Sequence, residues 1–142
     1  MELELKKECL DVFEAGDRQT LTQEETAETI VPDYCPDIAR IISAEGVVCL
    51  HGGTEQDGVT GTVRVTVLYT PENESGVRAL EFAMPFSAQG EGLAGCAHVV
   101  VETEIELLES RMLNPRKIFT RCKLVTHLAG CRKVCLTISS DA

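Results

Sequence analysis

The sequence predicts a mainly β chain: an antiparallel β-sandwich or open barrel with one short helix near residues 36–44. Three observations carry that expectation. From Gly46 onward apolar and polar residues alternate with a period of two, the spacing at which side chains share one face of a strand. Turn segments containing Gly or Pro recur every ~10–15 residues. Finally, 142 residues that are 44% hydrophobic supply the core of one domain without help from metal or disulfide.

The elements follow in order. The first 14 residues suit a short amphipathic helix with Leu5, Cys9, Val12 and Phe13 on one side; a strand through Glu2–Leu5 is the alternative. Thr20–Ile30 is polar with weak alternation and reads as an edge strand. Residues 31–43, VPDYCPDIARIIS, hold two Pro-Asp dipeptides four residues apart. Proline removes a backbone donor and pushes the residue before it toward extended geometry. Asp33 is expected to cap backbone N–H groups. Pro36 suits a first helical turn, and Asp37 suits the positive end of the helix dipole. Ile38, Ile41 and Ile42 fall at i, i+3, i+4, so a helix over Pro36–Ala44 ending at Gly46 is expected. Then come strands: Val47–His51, closed by Gly52-Gly53; Gly61–Thr70, with Val63, Val65, Val67 and Tyr69 on one face; Arg78–Gln89, where Pro85 marks an edge or a bulge; Cys96–Glu109; Lys117–Leu128; and Arg132–Ser139. Met112–Arg116 is a turn. The row Glu102, Glu104, Glu106 is expected to lie beside the row Lys117, Arg121, Lys123.

The net charge of −10 argues against a nucleic-acid partner. Its distribution is uneven. Residues 1–45 carry twelve acids and four bases, a net of −8, whereas residues 110–135 carry seven bases and no acid. These are either two solvated faces or complementary surfaces, pairing within one chain or between neighbours. No apolar run approaches the ~20 residues of a membrane helix. The N-terminus has no apolar segment after a basic start, so no signal peptide is expected.

Motifs of known chemistry are sparse. Gly90–Gly95 matches G-x-G-x-x-G, but a β-patterned run follows where a phosphate-binding helix is required, so a β–β loop is the better reading. Cys49-Leu50-His51 and Cys96-Ala97-His98 place Cys and His on one strand face each. Brought together they make a Cys2His2 zinc site, the weaker alternative to ordinary core cysteines. The seven cysteines form no C-x-x-C. Cys131 and Cys135 share a strand face and are candidates to bridge a neighbouring chain if the last strand is an exposed edge. No catalytic motif is recognisable, so neither an enzyme nor a cofactor is expected.

The segments VPDYCPDIARIIS (31–43), GTVRVTVLY (61–69), MPFS (84–87) and LNPRKI (113–118) occur in an order and spacing that resemble the SPOCS domain. This module is repeated in clostridial spore-coat assembly proteins of the SipL type. The resemblance spans about residues 28–128, flanked by an N-terminal arm (1–27) and a last strand (131–139), all within one domain of 1–142. It implies a non-catalytic protein-interaction module in the mother-cell cytoplasm and then at the spore surface. The partners would be the protein itself, as an oligomer or polymer, or spore-coat proteins. Only one such unit is present, so docking through the LysM domain of the SipL-type proteins is not carried over. Asp33, Pro36, Asp37, Asn114, Pro115 and Arg116 are expected to determine fold and turns, with Arg121 and Lys123 as charged contact residues. A fibre subunit locked by intermolecular disulfides and a glycan- or small-ligand-binding sandwich are the alternatives.

Overall fold

A computed structural model describes residues 5–51, 58–90 and 98–141, with side chains over 18–51, 58–90 and 99–131. The described residues form six strands: β1 (Leu5–Ile30), β2 (Ile38–Leu50), β3 (Gly58–Pro71), β4 (Arg78–Gln89), β5 (His98–Asn114) and β6 (Lys117–Asp141). They make two antiparallel three-stranded sheets, ordered β1-β6-β5 and β2-β3-β4. The sheets pack with β5 over β2 and β1 over β4. The fold is therefore a β-sandwich with open sheets.

The alternation of β3 sets the interior. Val63, Val65, Val67 and Tyr69 are all buried, facing Ile118, Cys122 and Leu124 of the opposite sheet. Leu80, Met84 and Phe86 of β4 join the same cluster. Burial at this density is what holds two otherwise marginal sheets together. Two polar side chains on the inner face of β6 are satisfied across the strand pair: Thr120 by Ser110 at 2.7 Å and Thr126 by Thr103 at 3.1 Å. β4 is an edge, as Pro85 predicts, and residues 20–30 lie in β1, also an edge.

Residues 36–44 are not helical. Ile38 onward is β2, and two register shifts against β3, between Ile38 and Arg40 and between Ile41 and Ser43, explain the misleading pattern. Each shift inserts one residue and flips the side-chain parity. Ile38, Ile41 and Ala44 therefore all face the core, three residues apart. Ile42, which a helix would bury, is 46% exposed. β-branched isoleucines also suit a pleated strand better than a helix. Gly46 likewise ends no helix; it lies within β2 where the sheets approach closely. A Cβ there would stand 2.9 Å from Ile105 Cδ1 and 3.0 Å from Leu108 Cδ2.

Three further expectations are corrected. The N-terminal segment is strand from Leu5, not helix, because it pairs with β6 from Leu5↔Asp141 onward. The last two expected strands are one continuous β6. That strand is central rather than an edge at Cys131, which lies between Ala15 of β1 and His98 of β5. The charged rows also miss each other. Glu102 stands opposite His127 and Glu104 opposite Val125, and Glu106 falls in a register shift. Registration here is set by the two-residue turn at Pro115-Arg116 and by the two register shifts of β5, at Met112/Asn114 and Ile105/Leu107, not by charge.

Candidate functional site

The connection between the sheets is the most organised polar feature of the described residues. Residues 31–37 carry the chain from β1 in one sheet to β2 in the other. Such a crossover has no ladder of its own, so its carbonyls need other donors. Arg116, at the tip of the β5–β6 turn, supplies them. Its Nη1 donates to the Cys35 carbonyl at 2.6 Å and to Asp37 Oδ1 at 3.1 Å. Its Nη2 donates to the carbonyls of Val31 at 2.9 Å and Pro32 at 2.8 Å. The Asp33 carboxylate lies at 4.0 Å, fully exposed. A planar guanidinium with donors in a fixed fork can serve several acceptors at once in this way.

Backbone bonds anchor both ends of the loop. Val31 N–H donates to the Arg116 carbonyl and Ile38 N–H to the Pro115 carbonyl, each at 2.8 Å. Within the loop Cys35 N–H donates to the Pro32 carbonyl at 2.9 Å. The Asn114 side chain accepts from Arg116 N–H at 2.8 Å, shaping the turn that presents the guanidinium. From the other sheet, Tyr69 Oη donates to the Pro36 carbonyl at 3.2 Å and Glu72 N–H to the Asp37 carbonyl at 2.8 Å.

Asp33, Pro36, Asp37, Asn114, Pro115 and Arg116 thus meet in one clasp. The roles of Pro36 and Asp37 differ from those expected, since no helix begins here: Asp37 binds the guanidinium and Pro36 offers its carbonyl. The proline residues keep donors out of a loop that must present acceptors. Tyr34, which sequence reasoning passed over, projects from this braced loop and is 89% exposed. Ile30, Val77 and Leu113, at neighbouring element ends, are exposed as well. An aromatic residue between two Pro-Asp pairs was the available signal, because a tight turn leaves its central side chain outside.

The basic segment is used within the chain. Lys117 Nζ lies 2.8 Å from Glu28 Oε2, and Arg121 Nε lies 2.8 Å from Glu24 Oε1. The Arg121 contact is an ion pair whose N–H is not aligned for a hydrogen bond. Arg121 also lies 3.7 Å from Glu109, and Lys123 stands opposite Glu24 in register. The acidic N-terminal third therefore meets the basic C-terminal strand inside one molecule, on the outer face of one sheet. Exposed pairs of this kind contribute ~0–1 kcal/mol each.

The remaining candidates fall only partly within the described residues. Cys49 is half-buried on β2, and His51 Nε2 is 2.8 Å from Thr62 Oγ1. Cys96 and residues 91–95 of the glycine motif lie outside the described residues, as does the side chain of His98. Among the described residues no three His, Cys, Asp or Glu side chains are grouped to hold a metal ion. Cys131 is a free, half-buried thiol; the side chain of Cys135 lies outside the described residues. No family model, no curated protein and no solved structure matches this chain.

Two buried groups make stability depend on alkaline pH. Burial raises the Cys122 thiol above its ordinary 9.0, helped by the Glu25 carboxylate, and burial raises the Tyr69 phenol above its ordinary 10.0. Each binds its proton more tightly folded than unfolded. That stabilisation is complete below the unfolded values and is lost as pH rises through the folded ones. The urea midpoint should therefore fall above pH ~9. Cys122→Ala and Tyr69→Phe should each flatten that decline, and an unchanged decline in both variants would refute the assignment.

Proposed function

We propose that this chain is a non-catalytic structural module of the bacterial spore envelope, working through contacts with other proteins, its own copies included. The observation that carries the reading is the clasp at Arg116. VPDYCPDI and LNPRKI, two of the segments on which the resemblance to the SPOCS domain rests, are far apart in sequence. In the fold they form a single hydrogen-bonded unit. That supports treating them as one architectural signature.

The surface supports the same reading. Tyr34 stands on a loop whose backbone is already fixed, so a partner would gain an aromatic anchor at little ordering cost. The intramolecular pairing of the charged segments disfavours a version in which molecules join acid end to basic end.

Localisation tests this directly. A fluorescent-protein fusion to the full chain, expressed in a sporulating clostridial host, should gather as a ring at the forespore and stay with the purified spore coat. A signal spread evenly through the mother cell at every stage would sink the spore-envelope reading.

A further inference from the structure

The two sheets expose four edges, β1, β5, β2 and β4. Three of them carry features that obstruct strand addition. β2 has register shifts at Ile38/Arg40 and Ile41/Ser43, β5 has them at Ile105/Leu107 and Met112/Asn114, and β4 contains Pro85. Bulges and proline are the usual devices that keep an edge from pairing with another chain. β1 differs. From Arg18↔Ala129 to Ile30↔Lys117 it runs in unbroken register, with no Pro, Gly or Lys and with four threonines. Backbone groups of alternate residues along this stretch point away from β6, on a side where no further strand pairs among the described residues.

The charge pattern of this edge specifies what fits it. In an antiparallel pair related by a two-fold axis, residues on the same face oppose each other. With Gln23 opposite Gln23 of a second copy, Arg18 meets Glu28, Thr20 meets Thr26 and Thr22 meets Glu24. No like charges are opposed. Arg18 has no ion-pair partner among the described residues, and both Arg18 and Glu28 are exposed on the outer face, where Glu28 also pairs with Lys117 of its own molecule. Sliding two residues one way sets Glu24 against Glu24; sliding two the other way sets Arg18 against Thr26 and loses its carboxylate. We infer that the edge of β1 over residues 18–28 binds the same edge of a second copy, centred on Gln23. The two β1-β6-β5 sheets then form one continuous six-stranded sheet.

This inference rests on the reading of the chain as a protein-interaction module, and it names the surface. Sedimentation equilibrium of the full chain tests it. The wild type should be a reversible dimer. Arg18→Glu places like charges at both ends of the two-fold interface and should raise the dissociation constant about tenfold. Glu28→Arg should do the same, and the double variant should return it close to the wild-type value. A benzophenone amino acid at Thr22 should capture the 22–26 segment of the second copy. A chain monomeric at all concentrations, a double variant that stays weak, or capture of a different segment would overturn the inference. Localisation is read separately: a monomer that still rings the forespore removes only the dimer, and a dimer found throughout the mother cell removes only the spore assignment.

Discussion

Arg116→Ala should destabilise the chain by about 3 kcal/mol, a large loss for a half-exposed residue. The guanidinium donates to three loop carbonyls and to Asp37. Hydrogen bonds from a charged donor contribute ~1.5–3 kcal/mol each, but the side chain is 34% exposed, and water will reach part of the vacated space. That exposure sets the expectation nearer the value of two bonds than of four. The carbonyl bonds outweigh the ion pair, because Asp37 is 46% exposed and such a pair contributes only ~0–1 kcal/mol. The order of loss is therefore Arg116→Ala, then Arg116→Lys, then Asp37→Asn. Lysine keeps the charge but not the fork that spans several acceptors. Urea unfolding midpoints read this order. If Asp37→Asn cost as much as Arg116→Ala, the charge pair and not the carbonyls would be holding the crossover.

Gly61→Ala should cost about 2–3 kcal/mol although it adds one methyl group. A Cβ at Gly61 would stand 2.6 Å from Phe86 Cζ and 2.8 Å from the carbonyl oxygen of Cys49. The phenyl ring is buried against the glycine, and the carbonyl belongs to the neighbouring strand backbone, so neither can move cheaply. Gly46 is the control. The nearest neighbours of its added Cβ would be methyl groups of Ile105, Leu108 and Val63, at 2.9–3.1 Å, and the terminal methyls of Ile105 and Leu108 can rotate. Gly46→Ala should cost about 1 kcal/mol. Shortening the ring should relieve the larger effect. The double variant Gly61→Ala with Phe86→Leu should be more stable than the sum of the two single losses implies, because the residues touch. Additive losses would show that the ring is not what the new methyl strikes.

The β3–β4 hairpin is legible in the sequence because its alternation is uninterrupted. Val63, Val65, Val67 and Tyr69 needed only a period of two to be placed in the core, and Pro85 needed only its missing donor to be placed on an edge or at a bulge; the strand order chose the edge. The residues of the clasp were likewise visible as a dense run of Pro and Asp, and as Asn-Pro-Arg before β6. Their purpose was not visible. Asp33 and Asp37 carry the same local chemistry whether they cap a helix or face a guanidinium, and Arg116 lies about eighty positions away.

What the sequence determines alone is local: which segments pleat, which face of each is apolar, and where the chain must turn. Side-chain period and the backbone limits of proline and glycine act over a few residues and need no partner. The tertiary structure decides everything that depends on registration between distant strands. Two bulges in β2 turned a helix-like spacing of isoleucines into a core face. One bulge in β5 took Glu106 out of the charge row, and the turn at Pro115-Arg116 delivered a guanidinium into a loop from another sheet. A bulge or a register is a choice between pairings of nearly equal local energy, settled only when the opposite strand and the packed core are both present.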